Sequence, residues 1–257
     1  KDILSEIRES AKKGVKEVIL LGQNVNSYNF EGISFSSLIY SVAEIDEIKR
    51  IRFMTSHPRD MTDELIGAFG KIPKLMPFLH LPVQSGSNRI LKSMNRGHIV
   101  EEYVEIVNKL RSVRSDICFS SDFIVGYPGE TDKDFQETID LCEQVEFAQA
   151  YSFNYSSRPG TPASRKEELD ENLKKTRLHI LQDLLSKQQT TFLKKQKNIQ
   201  HKVLFEKVGR GIDEYVGRTE QFSPVTVVNK ENIVGEIKKV EINSVMSHSL
   251  KGDLKYI

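Results

Sequence analysis

Tryptophan is absent from this sequence, and cysteine is nearly so. The two cysteines among its 257 residues, Cys118 and Cys142, have a spacing that matches no metal-binding motif. Each lies in an apolar context, which predicts a buried structural thiol. So few cysteines are typical of a protein in a reducing compartment, and we expect a cytoplasmic location.

Long apolar segments and an excess of either charge are missing too. No apolar run approaches the roughly 20 residues that a transmembrane helix needs, so we expect no membrane partner. Lysine and arginine together number 37 against 36 acidic residues, which excludes a general electrostatic attraction to nucleic acid. A phosphate-loop lysine motif, a Ser/His/Asp arrangement and a zinc-ligand spacing are also absent.

What the sequence does contain is a regular alternation of apolar strands and amphipathic helices. A leading helix at 3–13 is followed by five predicted strands, at 15–21, 50–55, 78–83, 117–125 and 148–154. Helical spacing follows each strand, the last helix running from about 170 to 197. This alternation predicts a parallel sheet with helical crossovers. Five units behind a helix that has no strand before it predict a six-stranded, TIM-like partial barrel lacking its first strand. A doubly wound open sheet is the alternative, because strand order is not readable from sequence.

The period changes from 3.6 to about 2 near residue 199, which indicates a second, smaller domain. Short strands are predicted at 201–208, 214–218, 225–228, 235–242 and 250–256, with glycines between them. Five such strands are typical of the small barrels that bind oligonucleotides. We therefore predict an α/β domain over 1–198 and an all-β barrel over 199–257.

Polar residues stand at or near the carboxyl end of every predicted strand, where parallel α/β folds bind ligands. These residues are Gln23, Asn24, Ser56, His57, Gln84, Ser85, Asp122, Asn154 and Arg158. The alternative explanation is that loops are simply polar. No lysine is well placed at a strand end, which disfavours a barrel enzyme of the aldolase type.

Asp122 is the least expected residue inside a strand. An uncompensated carboxylate in a barrel interior costs several kcal/mol. Asp122 therefore either contacts a ligand or closes an internal network with Ser120, and the sequence favours neither. For His57, which precedes Pro58, and for His80 we favour structural roles over ligand binding.

A run of lysines crosses the predicted domain boundary. Residues 186–202 contain Lys187, Lys194, Lys195, Lys197 and Lys202 without one acid. The simpler interpretation is a solvated helix end, where lysines also suit the helix dipole. The functional interpretation is a patch that contacts RNA phosphates beside the small barrel.

Five segments carry long motifs in a fixed order. They are LLGQNVNSY at 20–28, RFMTSHP at 52–58, HLPVQSGS at 80–87 with MNRG at 94–97, SDFIVGYPGET at 121–131, and YSSRPGTPA at 155–163. Together they resemble the radical S-adenosylmethionine methylthiotransferases. The first segment points to the branch of the tRNA-2-methylthio-N6-dimethylallyladenosine synthases. The resemblance extends over the whole chain.

The resemblance implies a radical S-adenosylmethionine barrel followed by a TRAM domain, an RNA-binding β-barrel. It also implies that the protein adds a methylthio group to carbon 2 of N6-isopentenyladenosine, next to the tRNA anticodon. In that family one [4Fe-4S] cluster, held by C-x-x-x-C-x-x-C, cleaves S-adenosylmethionine reductively, and a second cluster supplies the sulfur. We expect the anticodon stem-loop of tRNA as partner and a monomeric protein; the electron donor and sulfur source are not indicated.

The six cluster cysteines of that family have no counterpart here, since Cys118 and Cys142 match neither set. We therefore expect no metal ligand in this chain, and we expect the chain to be the carboxyl-terminal part of the enzyme. By itself it is expected to be inactive. The alternative function is a catalytically inert RNA-binding fragment, a barrel remnant with a TRAM domain.

The family's architecture, which lays the cofactor across the strand ends, implies specific roles. Near S-adenosylmethionine it implies Gln23 and Asn24 at the amino-acid end, Gln84 and Ser85 at the ribose, and Val125 and Gly126 at the adenine. Near the substrate base it implies Asp122, Asn154 and Arg158, with Asp122 and Arg158 as candidate catalytic residues. Lys194, Lys195 and Lys197 are the candidate RNA contacts.

Overall fold

The computed structural model describes residues 2–255. The helices are α1 (Asp2–Lys12), α2 (Phe35–Ala43), α3 (Asp63–Lys71), α4 (Asn88–Ser93), α5 (Val100–Val113), α6 (Asp132–Val145) and α7 (Glu171–Lys195). The strands of the first part are β1 (Glu17–Leu20), β2 (Asn29–Phe30), β3 (Ile33–Ser34), β4 (Arg50–Phe53), β5 (Phe78–His80), β6 (Cys118–Val125) and β7 (Gln149–Asn154). The strands of the second part are β8 (Gln200–Val208), β9 (Glu214–Arg218), β10 (Pro224–Val228), β11 (Ile237–Val245) and β12 (Leu250–Leu254).

Side-chain caps fix where several helices begin. Thr62 accepts a hydrogen bond from the Leu65 amide at 3.2 Å and starts α3. Thr131 and Asp134 form the predicted capping box at the start of α6. Asp170 accepts from two amides of the first turn of α7. These caps explain why the predicted helix starts agree with the structure within one or two residues.

The five long strands of the first part are parallel and lie in chain order. β1 pairs with β4, and β5, β6 and β7 pair in sequence. A parallel bridge between Ile51 and Leu75, just before β5, connects the two groups. A doubly wound sheet reverses its strand order at a switch point. The observed order has no reversal, so the barrel-like prediction is confirmed over the doubly wound alternative.

A short hairpin, β2 with β3, was not predicted. Its two central residues, Glu31 and Gly32, have φ values of 50° and 80°. Two positive φ values suit the tight turns that favour glycine. The flanking strands have only two residues each, which is too short for a period of 2 to be seen in the sequence.

The second part is a closed β-barrel with strand order β10-β12-β11-β8-β9. Its core, with Val203, Phe205 and Val225 fully buried, is separate from that of the α/β part. This confirms a small closed barrel. The predicted last strand, 250–256, reaches Tyr256, which lies outside the described residues.

The small barrel packs against the amino ends of the parallel strands. Arg50 and Arg52 of β4 are almost completely buried and donate hydrogen bonds to backbone carbonyls of Lys202, Arg218, Thr219 and Glu220. Phe222 of the small barrel stacks on Phe78 and lies under the Arg52 guanidinium. The carboxyl ends of the strands are therefore the free end of the α/β part.

Within residues 2–255, no helix has the length and apolar character needed to cross a membrane.

Candidate functional site

A cavity of about 870 Å³ opens at the carboxyl ends of β6 and β7. We call it the strand-end cavity. It is lined by Gln84, Ser93, Met94, Asn95, Arg96, Asp122, Ile124, Tyr127, Phe153, Asn154, Tyr155, Ser156, Arg158, Thr161, Pro162 and Ala163. Four residues predicted from separate parts of the sequence, Gln84, Asp122, Asn154 and Arg158, thus come together at one place.

Asp122 points into this cavity and is also paired inside the barrel. Its Oδ2 lies 3.5 Å from Nε2 of His80, whose Nδ1 lies 3.0 Å from the Ser120 hydroxyl oxygen. The Asp122 side chain is still 29% exposed. The two alternatives for this carboxylate are therefore compatible: the internal network reaches Ser120 through His80, and the Asp122 side chain also lines the cavity.

Arg96 is a cavity residue that the sequence analysis did not select. Its guanidinium contacts no hydrogen-bond acceptor among residues 2–255. Burial lowers the pKa of Arg96, and the negative charge of Asp122 opposes that shift. The sequence did contain an indication of Arg96, because this residue lies in the MNRG motif. It was not selected because it is far along the chain from any predicted strand end.

Two buried polar atoms in the cavity lining also have no hydrogen-bond partner within the part of the chain that the structure describes. They are Oδ1 of Asn154 and the hydroxyl of Tyr155. A buried polar group without a hydrogen bond costs about 1–3 kcal/mol. Such groups at the wall of a cavity are what a polar ligand would satisfy.

Gln84 holds an unusual backbone conformation at the cavity wall, with φ of 77°. Its amide donates to the Asp122 carbonyl at 2.9 Å, and its own carbonyl accepts from Ile124 at 2.9 Å. Ser85, by contrast, faces helix α6: its hydroxyl accepts from the Ser87 amide and lies 3.4 Å from the Thr138 hydroxyl. Ser85 does not line the strand-end cavity.

Val125 and Gly126, at the carboxyl end of β6, pack against the protein interior and not against the cavity. Val125 is buried, and a Cβ added to Gly126 would lie 2.5 Å from Cγ of Lys174. The Gly126 amide donates to the Glu130 carboxylate at 3.0 Å, and burial raises the pKa of Glu130 although Arg177 contacts it. Neither Val125 nor Gly126 lines the cavity.

Gln23 and Asn24 lie apart from this group. Gln23 is exposed. Asn24 donates to the Asp60 carboxylate at 2.6 Å, and its Oδ1 is buried without a partner. Asn24 lines a second cavity, of about 560 Å³, along the edge of β1 that does not face β4.

The half-buried His57 and the buried His98 form a ring pair beside the strand ends. Their ring centroids are 5.4 Å apart, and Nδ1 of His57 accepts from the Arg59 amide. Burial is the main cause that lowers the pKa of each ring. The structural role expected for His57 agrees with these contacts, as does the network around His80.

The lysines of the boundary segment are on the surface. Lys187, Lys194, Lys195, Lys197 and Lys202 are all exposed. They lie near the end of α7 and the start of β8, away from the strand-end cavity. Their positions leave both the solvated and the phosphate-contacting interpretation open.

The thiols of the described residues do not fit a metal cluster. Cys118 and Cys142 are free and buried, as predicted, and burial raises the pKa of both. Thiolates, not thiols, bind metals. No group of three or more His, Cys, Asp or Glu residues within 2–255 is arranged to hold a metal ion.

Comparison with known proteins extends these observations. The Radical SAM superfamily model matches residues 1–142. A tRNA-2-methylthio-N(6)-dimethylallyladenosine synthase of Rickettsia akari is 47% identical over 259 aligned residues, which cover 98% of this chain and 58% of the relative. The same enzyme of Bartonella tribocorum is 48% identical over 258 residues, covering 98% and 56%. The chain thus spans less than three-fifths of the length of these relatives.

Solved structures support the fold. Coproporphyrinogen III oxidase from Escherichia coli, described as a radical SAM enzyme, superposes with a TM-score of 0.57 at 17% identity. The match covers 84% of this chain and 58% of that one. At such low identity the likeness concerns the fold alone.

Proposed function

The chain belongs to the Radical SAM superfamily, and from that premise we propose that the complete protein is a tRNA methylthiotransferase. It adds a methylthio group to carbon 2 of N6-isopentenyladenosine next to the anticodon. The names of the relatives at 47% and 48% identity support this substrate. The observation that carries the proposal is the strand-end cavity, which gathers Gln84, Asp122, Asn154 and Arg158.

We propose that S-adenosylmethionine binds in this cavity, and the residues present fit it. Arg96 offers a cation to the ligand's carboxylate, and Gln84 offers an amide to its ribose. Asp122, Asn154 and Arg158 are proposed to face the substrate base. When bound, S-adenosylmethionine supplies the methyl group and the radical chemistry of the superfamily.

The other proposed cofactor contacts do not line the strand-end cavity. Ser85 orders the turn that carries Gln84, and Val125 and Gly126 remain the proposed adenine contacts although they lie outside the lining of the strand-end cavity. Gln23 and Asn24 remain proposed rim contacts; the unpartnered Oδ1 of Asn24 supports a polar contact there.

Two [4Fe-4S] clusters are proposed for the complete protein and none for this chain. Clusters need thiolate ligands, and Cys118 and Cys142 do not fit that requirement. The chain by itself is accordingly proposed to be inactive. RNA binding without catalysis is the second candidate function for the isolated chain, because the chain has no thiolate ligands for a cluster.

The proposal also covers the domains, the RNA contacts, the oligomeric state and the location of the complete protein. The small barrel is proposed to be a TRAM domain, with the boundary at 198–200 between α7 and β8. The free edge of β1 is proposed to receive a first barrel strand. Lys194, Lys195 and Lys197 are proposed to contact the anticodon stem-loop. We further propose a monomeric, cytoplasmic protein.

The test uses the complete protein with its clusters reconstituted. Asp122→Asn and Arg158→Ala should each lower the rate of methylthioadenosine formation by about tenfold or more, the effect expected for a lost hydrogen bond to a charged group. The free energy of unfolding should change little, since Arg158 is exposed and an asparagine at position 122 keeps an oxygen beside His80. Asp183→Asn and Arg210→Ala, at exposed positions, are the matched controls. Wild-type turnover in both cavity variants would overturn the assignment.

A further inference from the structure

Two smaller cavities continue from the strand-end cavity along strand β7. The first, of about 280 Å³, shares Phe153 with the strand-end cavity. The second, of about 470 Å³, shares Tyr151, Gln189 and His248 with the first and ends against the small barrel. We call this continuous surface the β7 groove. It connects the candidate active site with the second domain.

The wall of the β7 groove has two exposed aromatic rings. Tyr151 and Phe153 are 49% and 55% exposed, although most aromatic side chains of the α/β part are buried. Both lie on β7, which pairs with β6 along one edge and is the last strand of its sheet. Residues two apart on a strand point to the same side and are about 6.6 Å apart. That distance is about twice the spacing of stacked bases, which is ~3.4 Å.

The rest of the lining is rich in amides and free of negative charge. Gln149, Gln182 and Gln189 line the groove, and neither of its two cavities has an aspartate or glutamate in its lining. Gln149 donates a hydrogen bond to the Tyr151 hydroxyl. His248 and Gln189 are in contact at 2.9 Å. Exposed aromatic rings with neighbouring amides are what proteins use to bind unpaired RNA bases.

A substrate that is one nucleotide of a long RNA needs a path for its neighbours out of the cavity. We propose that the unpaired nucleotides flanking the target adenosine lie in the β7 groove, with one base stacked against Tyr151 and Phe153. This proposal rests on the proposed function, because it requires an RNA substrate in the strand-end cavity. It assigns to β7 and α7 a role in holding the RNA that is separate from the lysine segment.

The experiment uses the complete protein and an anticodon stem-loop with 2-aminopurine next to the target adenosine. Tyr151→Ala should raise the Kd about tenfold, the usual effect of removing one stacking partner, and should weaken the fluorescence change on binding. Phe30→Ala is the matched control, because Phe30 is similarly exposed at 54% on the distant hairpin. S-adenosylmethionine affinity should be unchanged in both variants.

A second pair of variants separates the groove from general electrostatics. Ser186→Glu places a carboxylate in the groove, whereas Thr176→Glu places one about 15 Å earlier on α7, outside the groove and away from Lys194 and Lys195. Both positions are exposed, so the fold should tolerate either change. Ser186→Glu should weaken stem-loop binding several-fold more than Thr176→Glu.

The outcomes distinguish the two proposals. If wild-type protein neither binds nor modifies the stem-loop, the proposed function fails and the groove proposal fails with it. If wild-type protein modifies the stem-loop but Tyr151→Ala and Ser186→Glu bind it with wild-type affinity, only the groove proposal is overturned. Equal effects of Ser186→Glu and Thr176→Glu would likewise overturn it.

Discussion

The arginine side chains at the two ends of the parallel strands have different surroundings. At the amino end, Arg52 donates to the carbonyls of Thr219 and Glu220 at 2.8 Å each, and its Nε lies 3.2 Å from the Glu17 carboxylate. Burial lowers the pKa of Arg52 to about 10, which leaves it charged at neutral pH. At the carboxyl end, the guanidinium of the half-buried Arg96 forms no hydrogen bond within the described residues and interacts with the charge of Asp122, and the buried side-chain oxygen of Asn154 has no hydrogen-bond partner there.

We interpret this difference as one between residues that hold the fold and residues that are proposed to bind a ligand. Arg52 Nε and Glu17 Oε2 form an ion pair without a hydrogen bond, but the other hydrogen bonds of the Arg52 guanidinium make its removal costly to stability. A polar atom at a cavity wall without a hydrogen bond does not stabilise the fold, because its desolvation is not compensated. Both ends are rich in arginine, so composition alone does not distinguish them.

The largest effect on stability is expected at the amino end. Arg52→Met in the complete protein should lower the free energy of unfolding by about 3–5 kcal/mol, because it leaves the Glu17 carboxylate buried with a weakened set of partners. Urea denaturation measures the change. Arg59→Met, at a side chain 62% exposed beside Asp60, should change stability by less than about 1 kcal/mol. Equal losses in the two variants would remove the distinction between the ends.

A smaller, pH-dependent effect is expected from the His57–His98 pair. Burial places both pKa values below the ordinary value of 6.5, so the unfolded chain binds protons that the folded pair does not. Stability contributed by the pair is therefore present above pH 6.5 and is lost as pH falls through the lowered pKa values. The groups facing the pair are Arg59, Asp60, Arg96 and Glu102.

Urea midpoints between about pH 7.5 and pH 5 measure this loss. The decline should be smaller in His57→Gln than in the wild type, since one of the two titrating rings is gone. The same variant corrects for carboxylates elsewhere, because they titrate in both proteins. Parallel declines would show that the pair does not titrate in this range.

The sequence predicted the fold more completely than the site. Strands β1 and β4 to β7 and their helices follow from apolar periodicity and from caps such as Thr131, which act locally. The order of the strands and the hairpin at residues 29–34 do not follow, because pairing depends on contacts between distant segments or on strands too short to show a period.

For the site, position at a strand end identified Asp122, Asn154 and Gln84 but could not give the direction of a side chain. Ser85 sits in the same turn as Gln84 and faces α6 instead of the cavity. Arg96 reaches the cavity from the segment after α4, which no strand-end rule selects. The docking of the small barrel on Arg50 and Arg52 was also beyond prediction, since two arginines in a strand do not indicate which carbonyls they bind.

The smallest effect on stability is expected from Asn154→Leu. Comparing this variant with Arg52→Met in the complete protein is the most direct test of the difference between the two strand ends. The measurement is the free energy of unfolding and the methylthiolation rate per folded molecule for each variant. We predict that Asn154→Leu does not lower the free energy of unfolding, because it removes a buried polar atom that has no hydrogen bond, and that it lowers the rate about tenfold, while Arg52→Met is destabilised but turns over normally once folded. A destabilised Asn154→Leu protein with wild-type turnover would contradict the account.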